Sequence, residues 1–348
     1  MVPRALLILV GTAAATITIA GMRGISELLA PLMLALVLVI AVHPLRGWMH
    51  RLPNAVSTTL IIVAAYGILL GLAVVLGAST ARFATLLPDY TDQAAAVIHQ
   101  LDDLLTRLGI GDQVAETVAE SLSFGRLIGF LEYLVGSILA LLSNLFFLLA
   151  LMLFLAVDAS WFPDRLARVG DGHAALAGGL AEFAAGTRQY LVVSTVFGLI
   201  VAVLDTILLW ALGIPAPVLW GLLAFITNYI PNVGFVIGLV PVAILALLEG
   251  GIGLMLWVIV AYSVINVVIQ SVIQPKVVGD AVGLSATLSF VSLLFWTFVL
   301  GPLGAILAIP MSLLVKAVMI DADPALRWVR PLVGSPEDPV ASEGPGRP

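Results

Sequence analysis

Apolar runs dominate the chain, and short polar interruptions divide them into lengths that fit a bilayer. A spanning helix needs about 20 mostly apolar residues. The pattern predicts helices over 5–22, 28–42, 57–81, 135–157, 191–212 and 253–274. Two further stretches are different. Residues 216–248 are interrupted by Asn228, Pro231, Asn232, Gly234 and Pro241, and residues 284–319 by Gly301, Pro302, Gly304 and Pro310. Each is long for one helix and short for two full spans with a turn, so each predicts a hairpin of two short or tilted helices. About eight membrane segments follow. The expected fold class is an all-α integral membrane protein.

The polar segments complete the plan. Residues 1–81 carry the first membrane helices, and 82–134 form a helical extracytoplasmic insert before the helix at 135–157. In the insert Ile98, Leu101, Leu104, Leu105 and Leu108 recur at helical spacing among eight of the chain's 21 acidic residues, as in a solvated amphipathic cap. Over 158–190, Leu176, Leu180, Phe183 and Tyr190 set against Glu182 and Arg188 predict a helix lying on the cytoplasmic membrane surface. Residues 191–320 form the core, and 321–348, rich in Pro, Gly, Ser and acid, predict a disordered cytoplasmic tail. The N-terminus resembles a signal peptide in Arg4, its apolar run and Ala13–Ala15. The weight of apolar sequence behind it predicts that this helix is retained.

Composition strengthens the membrane reading. Of 348 residues 61% are hydrophobic and 10% charged, where an ordinary soluble domain has about 25% charged. Mean hydropathy is +1.15. A net charge of −6 without a basic stripe argues against nucleic acid as a partner. There is no cysteine, and the four histidines form no ligand pair, so no metal centre or cofactor is expected. GxxxxGK[ST], GxSxG and paired intramembrane aspartates are all missing from the sequence, which argues against an enzyme.

The basic residues predict orientation. With the N-terminus inside, eleven of the 15 Lys and Arg fall on the cytoplasmic side, and only Arg23, Arg82, Arg107 and Arg126 fall outside. Both termini are then cytoplasmic. Under that topology one helix plus one hairpin occurs twice with opposite direction, 191–248 and 253–319. Pro231, Gly234 and Pro241 in the first are echoed by Pro302, Gly304 and Pro310 in the second. Matched Gly/Pro interruptions in inverted halves point to a transporter's binding region, because broken helices free backbone groups that must meet protein, water or solute.

Polar residues inside this core are few. Asp205 lies deep in 191–212, where an acid costs on the order of 2.5–3.5 kcal/mol to insert. It is expected to face the protein interior, either as a proton or cation site or as a neutral acid bonded to a neighbouring helix. Asn266, Gln270 and Gln274 recur every four residues on one face, suited to a wet pathway or to interhelical hydrogen bonds. Lys316 reads as a snorkelling orientation anchor, Glu249 as a solvated loop residue, and Arg23 with Glu27 as a local ion pair.

At NYIPNVG (228–234), QPKVVG (274–279) and GPLGAILAIP (301–310) the chain resembles the autoinducer-2 exporter family of bacterial membrane proteins. The resemblance covers most of the chain. The family's I-P-x-x-G break falls on Ile230, Pro231 and Gly234. Its Q-P-K-x-x-G element falls on Gln274, Pro275, Lys276 and Gly279, and the late G-x-x-G and I-P on Gly301, Gly304, Ile309 and Pro310. Where members often carry His-Pro just after Gly283, Ser285 and Ala286 stand here.

The resemblance implies secondary transport across the bacterial cytoplasmic membrane by alternating access, with export of a small polar signal such as autoinducer-2. A Na⁺(Li⁺)/H⁺ antiporter and a passive oligomeric channel are the alternatives. The expected partners are a small polar solute or monovalent cation, a coupled proton, the lipid bilayer and further copies of the chain in a homo-oligomer. The pathway is expected to run along Asp205, the two hairpin breaks and the amide face, with Lys276 and Asp280 at the cytoplasmic mouth.

Overall fold

The computed structural model describes residues 3–42, 54–86, 90, 129, 132, 133, 136, 145–159, 174–231, 233–274, 285–323 and 326. All regular structure among them is helical. The amphipathic insert repeat, the tail beyond 326, Asn232, Pro275, Lys276, Gly279 and Asp280 lie outside these residues, while Asp321, expected at the start of the disordered tail, is helical.

The chain opens with α1 (Arg4–Gly24) and α2 (Ser26–Val42), followed by α3 (Asn54–Leu86) and α4 (Leu145–Ala159). Next come α5 (Ala174–Ala211), α6 (Pro217–Thr227) and α7 (Gly234–Asn266), which continues as a π-helical segment, Val267–Ile273. The pair α8 (Ala286–Leu300) and α9 (Pro302–Lys316) ends in a second π-helical segment, Ala317–Asp321. Four stretches are long and apolar enough to cross a bilayer: Ile62–Leu86, Ala174–Ala211, Gly234–Ile273 and Pro302–Asp321. A fifth is added if α1 and α2 count as one bent span.

Large apolar side chains such as Ile17, Ile68, Phe154, Trp210, Trp257 and Phe298 point outward. In water these would be a liability; facing lipid tails they are solvated.

Two sequence expectations change. First, α1 and α2 meet at an 86° bend rather than as two antiparallel helices. The bend falls at Gly24–Ile25, between Arg23 and Glu27, and removes the helical spacing on which their ion pair depended. Arg23 instead lies over the Phe298 ring, 4.4 Å from its centroid, joining α1 to α8. Second, the surface helix expected over 158–190 is not separate: Ala174–Ala211 is one continuous helix of 38 residues. Its first half is buried by protein, with Gly179, Phe183, Thr187 and Tyr190 on one face. The boundary expected between 248 and 253 falls inside α7, which is two helices end to end. Gly250 and Gly251 leave helical geometry, Gly251 at φ 71°, which glycine adopts readily. Glu249, just before this break, accepts a hydrogen bond from Tyr90 and is thus tethered as well as exposed.

Two helical pairs pack on α5. In the first, α6 starts at Pro217, placed at the first helical position where its missing N–H costs nothing. α6 then turns through 228–233 into Gly234–Glu249. In the second, Ser285 caps α8 by accepting from the Leu288 amide at 3.3 Å, so the residue that departs from the family pattern has a local structural use. α8 then folds back at Gly301 into α9, with the Trp296 indole donating to Ser312 across the pair at 3.0 Å.

Each pair closes against a glycine. A Cβ on Gly234 would stand 1.9 Å from the Thr227 carbonyl oxygen, and one on Gly304 would stand 1.9 Å from that of Trp296. The C-terminal half of α5 carries the first pair; a Cβ on Gly221 of α6 would strike Thr206 at 1.9 Å. The N-terminal half carries the second pair, where Gly179 faces the Ala317 carbonyl. Separate cores seal the two ends. Trp220, Leu245 and Tyr262 belong to one, and Trp296, Leu307 and Phe183 to the other.

Tyr190 joins the two pairs. Its hydroxyl donates to the Tyr229 carbonyl in the first pair's turn at 2.5 Å, while its ring packs in the second pair's core. Tyr190→Phe is expected to cost about 1 kcal/mol. Thermal unfolding of the detergent-solubilised protein would read this as a lowered midpoint, and an unchanged midpoint would deny the bond its role.

Candidate functional site

Asp205 is fully buried on α5. The side chains facing its carboxyl are Tyr262 and Asn266, one turn apart on α7. Neither closes a well-aligned hydrogen bond onto it, and both carboxyl oxygens and the Tyr262 hydroxyl are buried without such a bond. Among the described residues no cation pairs with it.

Four helical segments converge on this point. α5 supplies the carboxyl. α6 packs against the next residue, since Gly221 sits on Thr206. The first half of α7 contributes Gly238, where an added Cβ would stand 3.2 Å from both the Tyr262 and Thr227 hydroxyls. The second half of α7 contributes Tyr262 and Asn266. A side chain at 238 would press on the Tyr262 hydroxyl and the first pair by a few tenths of an ångström.

The amide face is partly realised. Gln270 donates to the Asn266 side-chain oxygen at 2.8 Å, and the Asn266 amide donates to the Tyr262 carbonyl at 2.9 Å. These bonds run along one helix rather than between helices. Gln274 caps the π-helical segment through which the row passes. Such segments are rare and recur at functional sites, because the wider turn releases backbone groups from the α-helical ladder.

Asn228, in the turn after α6, docks on α5 at another level. Its amide donates to the Ser194 carbonyl at 2.8 Å and its side chain fills the notch at Gly198. Gly198 precedes Asp205 by seven residues, about two turns, on one face. The structure thus brings Asp205, Asn266 and Gln270 together, places Asn228, Pro231 and Gly234 at the adjacent turn, and keeps Gly301, Pro302, Gly304 and Pro310 in the second pair. Tyr229, Ile230 and Val233 of the first turn pack against the core that holds Trp296, Leu300 and Ala305 of the second pair.

Sequence reasoning missed Tyr262, Thr227 and Gly238. A tyrosine, a threonine and a glycine in apolar helices carry little signal singly. The one clue was spacing: Tyr262 precedes Asn266 by four and so extends the amide face by a turn.

The helices, their outward apolar surface and the buried carboxyl define a multi-pass membrane protein of the transporter class. Residues 6–322 match the AI-2E family transporter, and the chain belongs to that family. It is 29% identical over 312 residues to the AI-2 transport protein TqsA of Escherichia coli, covering 87% of this chain and 88% of that one. It is 28% identical over 337 residues to a Haemophilus influenzae protein, covering 95% and 97%. It is 26% identical over 343 residues to YhhT of Escherichia coli, covering 98% and 95%.

Proposed function

We propose that this membrane transporter moves a small polar solute across the bacterial cytoplasmic membrane by alternating access, as a homo-oligomer with both termini cytoplasmic. The solute class is a signal of the autoinducer-2 kind, in line with the name of the TqsA relative. The observation that carries the mechanism is the buried Asp205 carboxyl, which has no cationic partner among the described residues and sits where both halves of the first pair meet α5. A charge-bearing group at membrane depth is expensive, and transporters keep such groups for ions or substrates.

In this reading the two Gly-broken pairs are the inverted elements that rock against each other. Asn228, Pro231, Asn232 and Gly234 line one approach, and Gly301, Pro302, Gly304 and Pro310 the other. Asn266, Gln270 and Gln274 lead on to Pro275, Lys276, Gly279 and Asp280 at the cytoplasmic mouth.

Flux of autoinducer-2 into liposomes holding the full chain tests it. Saturable, uncoupler-sensitive movement is expected. Unsaturable flux indifferent to uncouplers would make the chain a passive channel. Proton movement on adding Na⁺ or Li⁺, without signal flux, would make it a cation antiporter.

A further inference from the structure

We propose that Asp205 is a proton-carrying site and not a metal-ion site, with Tyr262 as the residue that positions its carboxyl; this rests on the transporter reading above. The argument is the chemistry of the groups that face it. A Na⁺ or Li⁺ ion needs several oxygen lone pairs converging on one point, as hard cations generally do. Around Asp205 the neighbours offer hydrogens. Tyr262 presents a hydroxyl and Asn266 an amide. The Asn266 side-chain oxygen already accepts from Gln270, and the Tyr262 carbonyl already accepts from Asn266. One carboxylate with one facing hydroxyl, its nearby amide and carbonyl oxygens already engaged in hydrogen bonds, offers fewer oxygens than a metal ion requires. Donors serve the other need: they hold the carboxyl in place when its proton has left.

Among the described residues the surroundings add no competing charge. α6 brings Thr227, whose hydroxyl donates to the Ala224 carbonyl at 3.3 Å. The first half of α7 brings only Gly238. α5 adds Thr206, whose hydroxyl donates to the Ala202 carbonyl at 2.7 Å. Tyr262 is the one other titratable group that faces the carboxyl among the described residues. The proton binds one carboxyl oxygen and leaves to water; no electrons move.

The position also gives the proton leverage. The Tyr262 hydroxyl stands between Asp205 on α5 and the Gly238–Thr227 contact of the first pair. An ionised carboxyl draws this hydroxyl as donor. A protonated one competes to donate and releases it. Gain or loss of one proton thus changes how the second half of α7 is held against the first pair.

Infrared difference spectra of the reconstituted full chain test this without reference to any solute. Between acid and alkaline pH a protonated-carboxyl band should appear that Asp205→Asn removes. Replacing choline with Na⁺ or Li⁺ at fixed pH should leave the band unchanged. Tyr262→Phe should keep the band and move its midpoint by about one pH unit, the size expected for one hydrogen bond to a charged group. Loss of the band on adding Na⁺ or Li⁺ would overturn the proposal, since the metal ion would then displace the proton. A spectrum unaltered by Asp205→Asn, or a midpoint unmoved by Tyr262→Phe, would overturn it too. An intact titration in a protein that moves no solute would leave this site standing and sink the transporter mechanism instead.

Discussion

Gly234→Ala and Gly304→Ala are each expected to destabilise the protein by about 3 kcal/mol or more, enough to prevent accumulation of folded chain. The cause is backbone against backbone. The new methyl would lie 1.9 Å from the Thr227 carbonyl in one case and from that of Trp296 in the other. Real carbon–oxygen contacts do not approach this distance, and a main-chain carbonyl has no rotamer into which it can retreat. The outgoing and returning helices of a pair would have to part, exposing the backbone bonds that the membrane forces them to keep. Gly253→Ala is the control. Nothing lies within 4 Å of its added Cβ, so removal of a flexible residue should be neutral or stabilise by about 0.5–1 kcal/mol. Unfolding in graded detergent would rank the three variants. Wild-type stability in Gly304→Ala would refute the close approach of α8 and α9.

Lys316→Met is expected to cost about 3 kcal/mol. Lys316 bridges to Asp321 at 3.2 Å, with their side chains 19% and 2% exposed. The five-residue spacing matches the wider turn of the π-helical segment that carries Asp321. The aspartate packs against Gly179 of α5. Removing the lysine takes its ion pair from a carboxylate that is 2% exposed, and breaking a buried pair costs more than the pair itself contributes. The double variant Lys316→Met with Asp321→Leu should therefore recover most of the loss. A double-mutant cycle in the same unfolding assay reads the coupling directly. If the lysine variant alone is as stable as wild type, Lys316 acts through lipid headgroups rather than through Asp321.

These two sites also mark how far sequence could reach. The positions of Gly234 and Gly304 were legible, because glycine beside proline in an apolar run means a break. What each glycine faces was not, since Thr227 and Trp296 are ordinary residues seven and eight positions upstream. Lys316 was legible as a basic residue near a helix end. Its partner was not, because a spacing of five is off-face in an α-helix and on-face only once the helix has widened. Asp205 had to be inside on grounds of cost alone. Tyr262 could be placed beside it only by the packing of α7 on α5.

The continuity of α5 misled for a related reason. Glu182, Arg188 and Gln189 look like a water interface, yet the helix passes through them unbroken because its other face is buried by α9. The break between α1 and α2 was legible in Arg23, Gly24, Ser26 and Glu27, whereas its 86° angle was not, because polar residues mark where a helix ends and not how the next one leaves.

That unbroken helix has a mechanical meaning. At 1.5 Å per residue its 38 residues measure about 57 Å, against a hydrocarbon layer of about 30 Å. It is a mast taller than the deck it passes through. Gly179 and Asp205, 26 residues apart, sit about 39 Å from each other on the same rod. A rod does not stretch, so any twist or tilt applied at the Lys316–Asp321 end arrives at the carboxyl. A rigid binder that grips the first turns of α5 would therefore hold the proton site still from a distance, without ever entering the membrane.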